Sequence, residues 1–94
     1  MNMYKMVNME RHQDYKAFVP ETFGEKLRYA RTSSGMTQQA AADALGVSLR
    51  GYIRWEKDER EPNFRTLRKI VEVFGVSVDW LLGIPPLPPP DDDY

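Results

Sequence analysis

Cysteine is absent from the 94 residues, which excludes disulfides, thiolate zinc sites and a cysteine nucleophile together. His12 is the single imidazole, so a histidine-based triad or a His-rich metal site would hang on one residue near a terminus. These absences argue against an enzyme and predict no metal, no cofactor and no redox chemistry. No apolar run reaches the roughly 18–20 residues that span a bilayer, and the N-terminus lacks the apolar core of an export signal. Both point to the cytoplasm and away from a membrane. An excess of one charge sign is missing too, because 13 bases against 14 acids leave a net −1.

The charge is unevenly spread. Residues 1–21 hold three bases (Lys5, Arg11, Lys16) and three acids (Glu10, Asp14, Glu21), while residues 84–94 hold Asp91, Asp92 and Asp93. The stretch between carries ten bases against eight acids. Arg50, Arg54 and Lys57 lie close together in it, which leaves room for a local basic face despite the overall balance. With 41% hydrophobic and 29% charged residues the composition is that of a soluble globular chain, and the length allows one domain.

Three zones separate by composition. Residues 1–20 form a Met-rich arm, either weakly ordered or a short helix, in which Tyr15, Phe18 and Val19 fall at helical spacing before Pro20. Met3, Met6 and Met9 offer alternative translation starts, and His12 reads as a surface side chain. Residues 84–94, IPPLPPPDDDY, are proline-rich and then acidic, and predict an extended tail without a core of its own. Residues 21–83 hold the folded domain.

That domain is all-α, with five short helices and no convincing strand. Thr22 and Glu25 have capping-box spacing for a first helix over about 22–34, with Phe23, Leu27 and Ala30 on one face and Gly35 at its end. Thr37 caps the Ala-rich QQAAADAL, which Gly46 closes. Ser48 opens LRGYIRWE. Pro62 and Asn63 start a fourth helix, in which Leu67, Ile70, Val71 and Phe74 line one face before Gly75. A last short helix, VDWLL, ends at Gly83.

The second and third helices, joined only by Gly46-Val47-Ser48, must cross steeply, and Ala42 supplies the small side chain for close crossing. Leu45, Val47, Tyr52 and Trp55 then seal the pair against the first helix. Leu49, Arg50, Ile53 and Arg54 are left facing outward. Read without further context, Arg50 and Arg54 are a solvated face; on a projecting helix they suit phosphates and guanine edges.

FGEKLRYARTSSGMTQQAAADALGVS, the IRWE of the third helix, Pro62 and FGVSVDWLLG together resemble the phage-repressor and Cro type of helix-turn-helix, the Xre-like group of regulators, over about residues 22–83. The resemblance implies a five-helix, lambda-repressor-like DNA-binding domain whose third helix enters the major groove of an operator. It places Ser48, Leu49, Arg50 and Arg54 at or near bases. Thr37, Gln38 and Gln39 then stand at the start of the second helix, and Ile53, Lys57 and Arg60 complete the DNA-facing set. It also implies a partly buried ion pair between Arg31 and Glu56, and a homodimer made by the C-terminal end, with Trp80, Ile84 and Leu87 as interface and Leu81 as core. Departures from the family pattern are Gly51 inside the third helix, Tyr52 in place of an aliphatic residue, Asp58 where a glycine usually ends that helix, and the acids Glu59 and Glu61 beside Arg60.

The function expected is a sequence-specific transcriptional regulator, a repressor of double-stranded DNA operators. Two alternatives stay open: the antitoxin of a toxin–antitoxin pair, and a protein-interaction module of this fold without DNA binding. In either, the N-terminal arm or the tail is the candidate surface for a protein partner.

Overall fold

The computed structural model describes residues 19–88. The expectations for the helical spacing of Tyr15 and Phe18, the methionine starts, His12 and the aspartates of the tail lie outside the described residues. Val19 and Pro20 are non-helical, and Val19 is exposed.

Five α-helices and no strand occur among the described residues: α1 Phe23–Ser33, α2 Gln38–Leu45, α3 Leu49–Glu56, α4 Phe64–Phe74 and α5 Val78–Leu82. Each begins at a short polar residue whose side-chain oxygen accepts from a first-turn N–H, satisfying a donor the helix itself leaves orphaned. These caps are Thr22, Thr37, Ser48, Asn63 and Ser77. At α1 the Glu25 carboxylate reaches back to the Thr22 N–H, which completes the capping box.

One boundary departs from the sequence reading. Pro62 lies outside α4, which starts at Phe64, because Asn63 takes the cap by accepting the Thr66 N–H at 2.9 Å.

The helix ends decide how tightly the chain can turn. Gly46 and Gly83 sit in the left-handed region at φ 72° and 73°, and α3 makes the same exit through Asp58 at φ 60°. After Asp58 the Glu59 N–H donates to the Arg54 carbonyl at 2.9 Å, so α3 closes as a glycine-ended helix would.

The core is where these helices meet. Leu27 of α1, Ala41, Ala42 and Leu45 of α2, Tyr52 and Trp55 of α3, Ile70 of α4 and Leu81 of α5 form one buried cluster. Fully burying a Leu or Ile side chain is worth about 1.5–3 kcal/mol, and partly buried residues such as Phe23, Met36 and Val73 pack against this set and add to it. Only Ile70 of the α4 stripe is fully buried; Leu67, Val71 and Phe74 are half-buried around the cluster, as is Val47. Ala41 and Ala42 of α2 are both fully buried.

At Gly24, α1 meets the end of α3 closely. Its N–H donates to Asp58 Oδ1 at 2.8 Å, and the Thr22 hydroxyl donates to Asp58 Oδ2 at 2.7 Å. The carboxylate after α3 thereby caps the positive N-terminal end of α1. A Cβ on Gly24 would run into the Glu56 carbonyl and lie 2.7 Å from Asp58 Oδ2.

Candidate functional site

The resemblance-based ion pair is present and anchors α3. Arg31 Nε donates to Glu56 Oε2 at 2.6 Å and its Nη2 to Oε1 at 3.3 Å, with side chains only 11% and 5% exposed. Arg31 Nη1 also donates to the Met36 carbonyl at 3.0 Å, and Gln38 Nε2 donates to Glu56 Oε1 at 3.1 Å. This network ties the start of α2 and the loop before it to the end of α3. Burial alone would raise the Glu56 carboxyl, but the hydrogen bonds, from Arg31 foremost, outweigh it and hold it below the usual carboxylate range. The same bond raises Arg31, against the opposing pull of burial. Tyr52 lies beside the pair. Burial first and the neighbouring Glu56 second push its phenol up, and its hydroxyl has no hydrogen-bond partner of good geometry.

With its inner face fixed, α3 turns Leu49, Arg50, Ile53, Arg54 and Lys57 to one open depression, joined by Glu59 from the following loop. Arg54 is shared with a second depression that holds Gly51, Arg60, Glu61, Asn63 and Thr66. Across both, Arg50, Arg54, Lys57 and Arg60 face Glu59 and Glu61, an excess of positive charge. The acids do little to quench it. Arg54 and Glu59 approach only to 4.0 Å, and both side chains are well exposed, a contact worth about 0–1 kcal/mol. Leu49 and Ile53 are half-buried within this basic rim.

The remaining expected site residues line neither depression. Ser48 uses its hydroxyl oxygen to cap α3, accepting the Gly51 N–H at 3.0 Å. Thr37 caps α2, accepting from Ala40 at 3.0 Å. Gln38 is spent on Glu56, and Gln39 Nε2 donates to Asp43 Oδ1 at 2.9 Å on an exposed surface. At the other end Trp80 is half-buried against Tyr29, with ring centroids 6.3 Å apart, whereas Ile84 and Leu87 are 48% and 88% exposed.

Sequence reasoning missed Asn63 and Thr66 as neighbours of Arg54 and Arg60. Their residue types signal a helix cap, and nothing in the sequence says which surface the cap borders. It missed as well that Asp58 faces α1, since a carboxylate 34 residues from Gly24 gives no local sign of contact.

Comparison with known proteins bears on the family and the fold. The family described as helix-turn-helix matches residues 27–81. The SPbeta prophage-derived uncharacterized HTH-type transcriptional regulator YonR of Bacillus subtilis is 47% identical over 60 residues, covering 64% of this chain and 56% of that protein. The HTH-type transcriptional regulator ImmR of the same organism is 37% identical over 62 residues, or 66% of this chain and 49% of the relative. The chain thus spans about half the length of the curated relatives it matches. Among solved structures, the P22 c2 repressor in complex with a synthetic operator superposes with a TM-score of 0.65 at 31% identity, covering 69% of this chain and 98% of that one.

Proposed function

The chain belongs to the helix-turn-helix family, and from that premise we propose that it is a sequence-specific DNA-binding transcriptional regulator, of repressor type, that reads operator DNA through the major groove with α3. The observation that carries this reading is the exposed basic face of α3, where Arg50, Arg54 and Lys57 converge over a helix whose opposite side is locked by the Arg31–Glu56 pair. Arg50 and Arg54 serve as base readers, since a guanidinium fits the O6 and N7 of guanine as a bidentate donor. Leu49 and Ile53 give apolar contact to base edges, and Ser48 stands at the groove entrance. Lys57, Arg60, Thr37 and Gln39 serve phosphates, while Gln38 acts through Glu56 to hold α2 and α3 in register.

Residues 21–83 are the DNA-binding unit, with the arm and the tail outside it. The proposed regulator is cytoplasmic, has no enzymatic activity and works as a homodimer through the C-terminal end, where Trp80, Ile84 and Leu87 lie. The complex of the neighbouring P22 c2 repressor with a synthetic operator supports this reading, and the names of the relatives give the antitoxin and interaction-module alternatives no support. An electrophoretic shift assay against random genomic fragments at low and moderate salt tests it. A retarded subset that survives moderate salt is expected; uniform weak binding that salt abolishes would reject sequence-specific regulation.

A further inference from the structure

The tail and an aromatic groove on α1 and α5 are chemically matched, and we infer that the proline-rich tail of one copy docks in this groove on a second copy. The inference rests on the homodimer reading above and specifies how the two copies hold one another.

The groove is formed by Tyr29 and Trp80, whose rings are tilted 57° to one another, with Phe74 and Val76 at its end and Ser33 and Ser34 on its rim. Paired aromatic faces of this kind accept polyproline helices, because proline rings pack flat against them and the ligand is already stiff before it binds. The composition of the tail favours that form. At three residues per turn, Ile84 and Leu87 would share one edge and Pro85 and Pro88 the next. Ile84 and Leu87 are uncovered on their own chain, at 48% and 88% exposure.

Charge adds a direction. Asp91, Asp92 and Asp93 follow the prolines. The α1 flank of the groove offers Lys26, whose Nζ lies 5.7 Å from the Trp80 ring centroid, and Arg28, which borders Tyr29. Glu25, the acid of that flank, is turned back onto the Glu21 and Thr22 N–H groups.

The described part of the tail leaves its own groove open. Gly83, at φ 73°, turns the chain off the end of α5, the Ile84 N–H donates to the Asp79 carbonyl at 2.9 Å, and Pro85 holds Ile84 extended, so that Ile84 and Leu87 stay exposed instead of covering Trp80. Exchange between two copies satisfies both tails and both grooves through the same contact made twice.

The test uses the full chain with Leu87→Asp in the tail and Tyr29→Ser in the groove, both at exposed positions, with thermal melts to confirm folding. Sedimentation should show a dimer for the parent and, for each variant alone, a dimer dissociation constant raised about a hundredfold, roughly tenfold for the anchor side chain lost at each of the two contacts. An equimolar mixture of the two variants should regain association, because the intact tail of one meets the intact groove of the other. Variants as dimeric as the parent would overturn the inference, as would a monomeric parent, which would leave the tail to some outside partner. Weakened variants whose mixture regains nothing would overturn it too. Operator shifts run alongside keep the two readings separate: a tail-dependent dimer that binds no DNA sinks the regulator reading alone, and a DNA-binding dimer indifferent to Leu87→Asp sinks this one alone.

Discussion

Glu56 ties three helices together, because its carboxylate joins α1, the start of α2 and α3 through Arg31 and Gln38. Removing it strands a guanidinium in a site only 11% exposed, so Glu56→Ala is expected to cost about 3 kcal/mol, measured by denaturant unfolding. An unchanged midpoint would show that the pair is solvated. Because the folded protein holds the Glu56 carboxyl below its ordinary value near 4.3, the unfolded chain takes up this proton first as pH falls. The pair's contribution is therefore complete above about pH 5 and is lost below it. Glu56→Gln should flatten that acid limb. Tyr52 makes the opposite case. Its buried hydroxyl lacks a partner, so Tyr52→Phe is expected to be neutral or to stabilise by up to about 1 kcal/mol. A clear loss would mean that the hydroxyl is bonded to Glu56 in solution.

At the level of elements, the junction of α1 with the end of α3 depends on a residue too small to object. Gly24→Ala would drive a Cβ into the backbone of Glu56, which cannot swing aside as a flexible side chain could. The loss expected in a melt is about 1–3 kcal/mol, outweighing the roughly 0.5–1 kcal/mol that Ala gains over Gly inside a helix. Full retention of stability would show that α1 and α3 can separate there. For α3 as the reading element, Arg50→Ala and Arg54→Ala should each relax preference at one or two base pairs, a discrimination of about 1–3 kcal/mol. Gln39→Ala, whose amide already bonds Asp43, should weaken all sequences evenly and slightly. Selection of binding sites from a random pool distinguishes the two patterns. Unaltered preference in both arginine variants would remove α3 as the reader.

For the whole molecule, a single module of this size buries about 600–1,000 Å² on DNA, which is too little for tight and selective binding. Two copies are therefore expected on a pseudo-palindrome with half-site centres about 34–36 Å apart, one helical turn. Inserting five base pairs between the half-sites turns them to opposite faces of the duplex. It should abolish the dimer shift while leaving weak single-site binding, as footprinting would show; indifference to the insertion would mean that the copies bind independently.

The sequence by itself determined the helices, because their signals are local. A capping residue stands at each start, an apolar period of 3.6 follows, and a residue tolerant of positive φ stands at each turn, Asp58 included. It also determined which α3 side chains face outward, since that follows from which of their neighbours are apolar. The Arg31–Glu56 pair was legible only through resemblance, 25 residues apart in the chain and silent in periodicity. Tertiary structure alone decided the rest: that Asp58 caps α1, that Gly24 lies against the backbone of Glu56, and that Trp80 meets Tyr29 to form a groove while Ile84 and Leu87 stay outside it. Each of these joins residues distant in sequence, and such a contact is fixed only when the helices have packed and their relative positions are set.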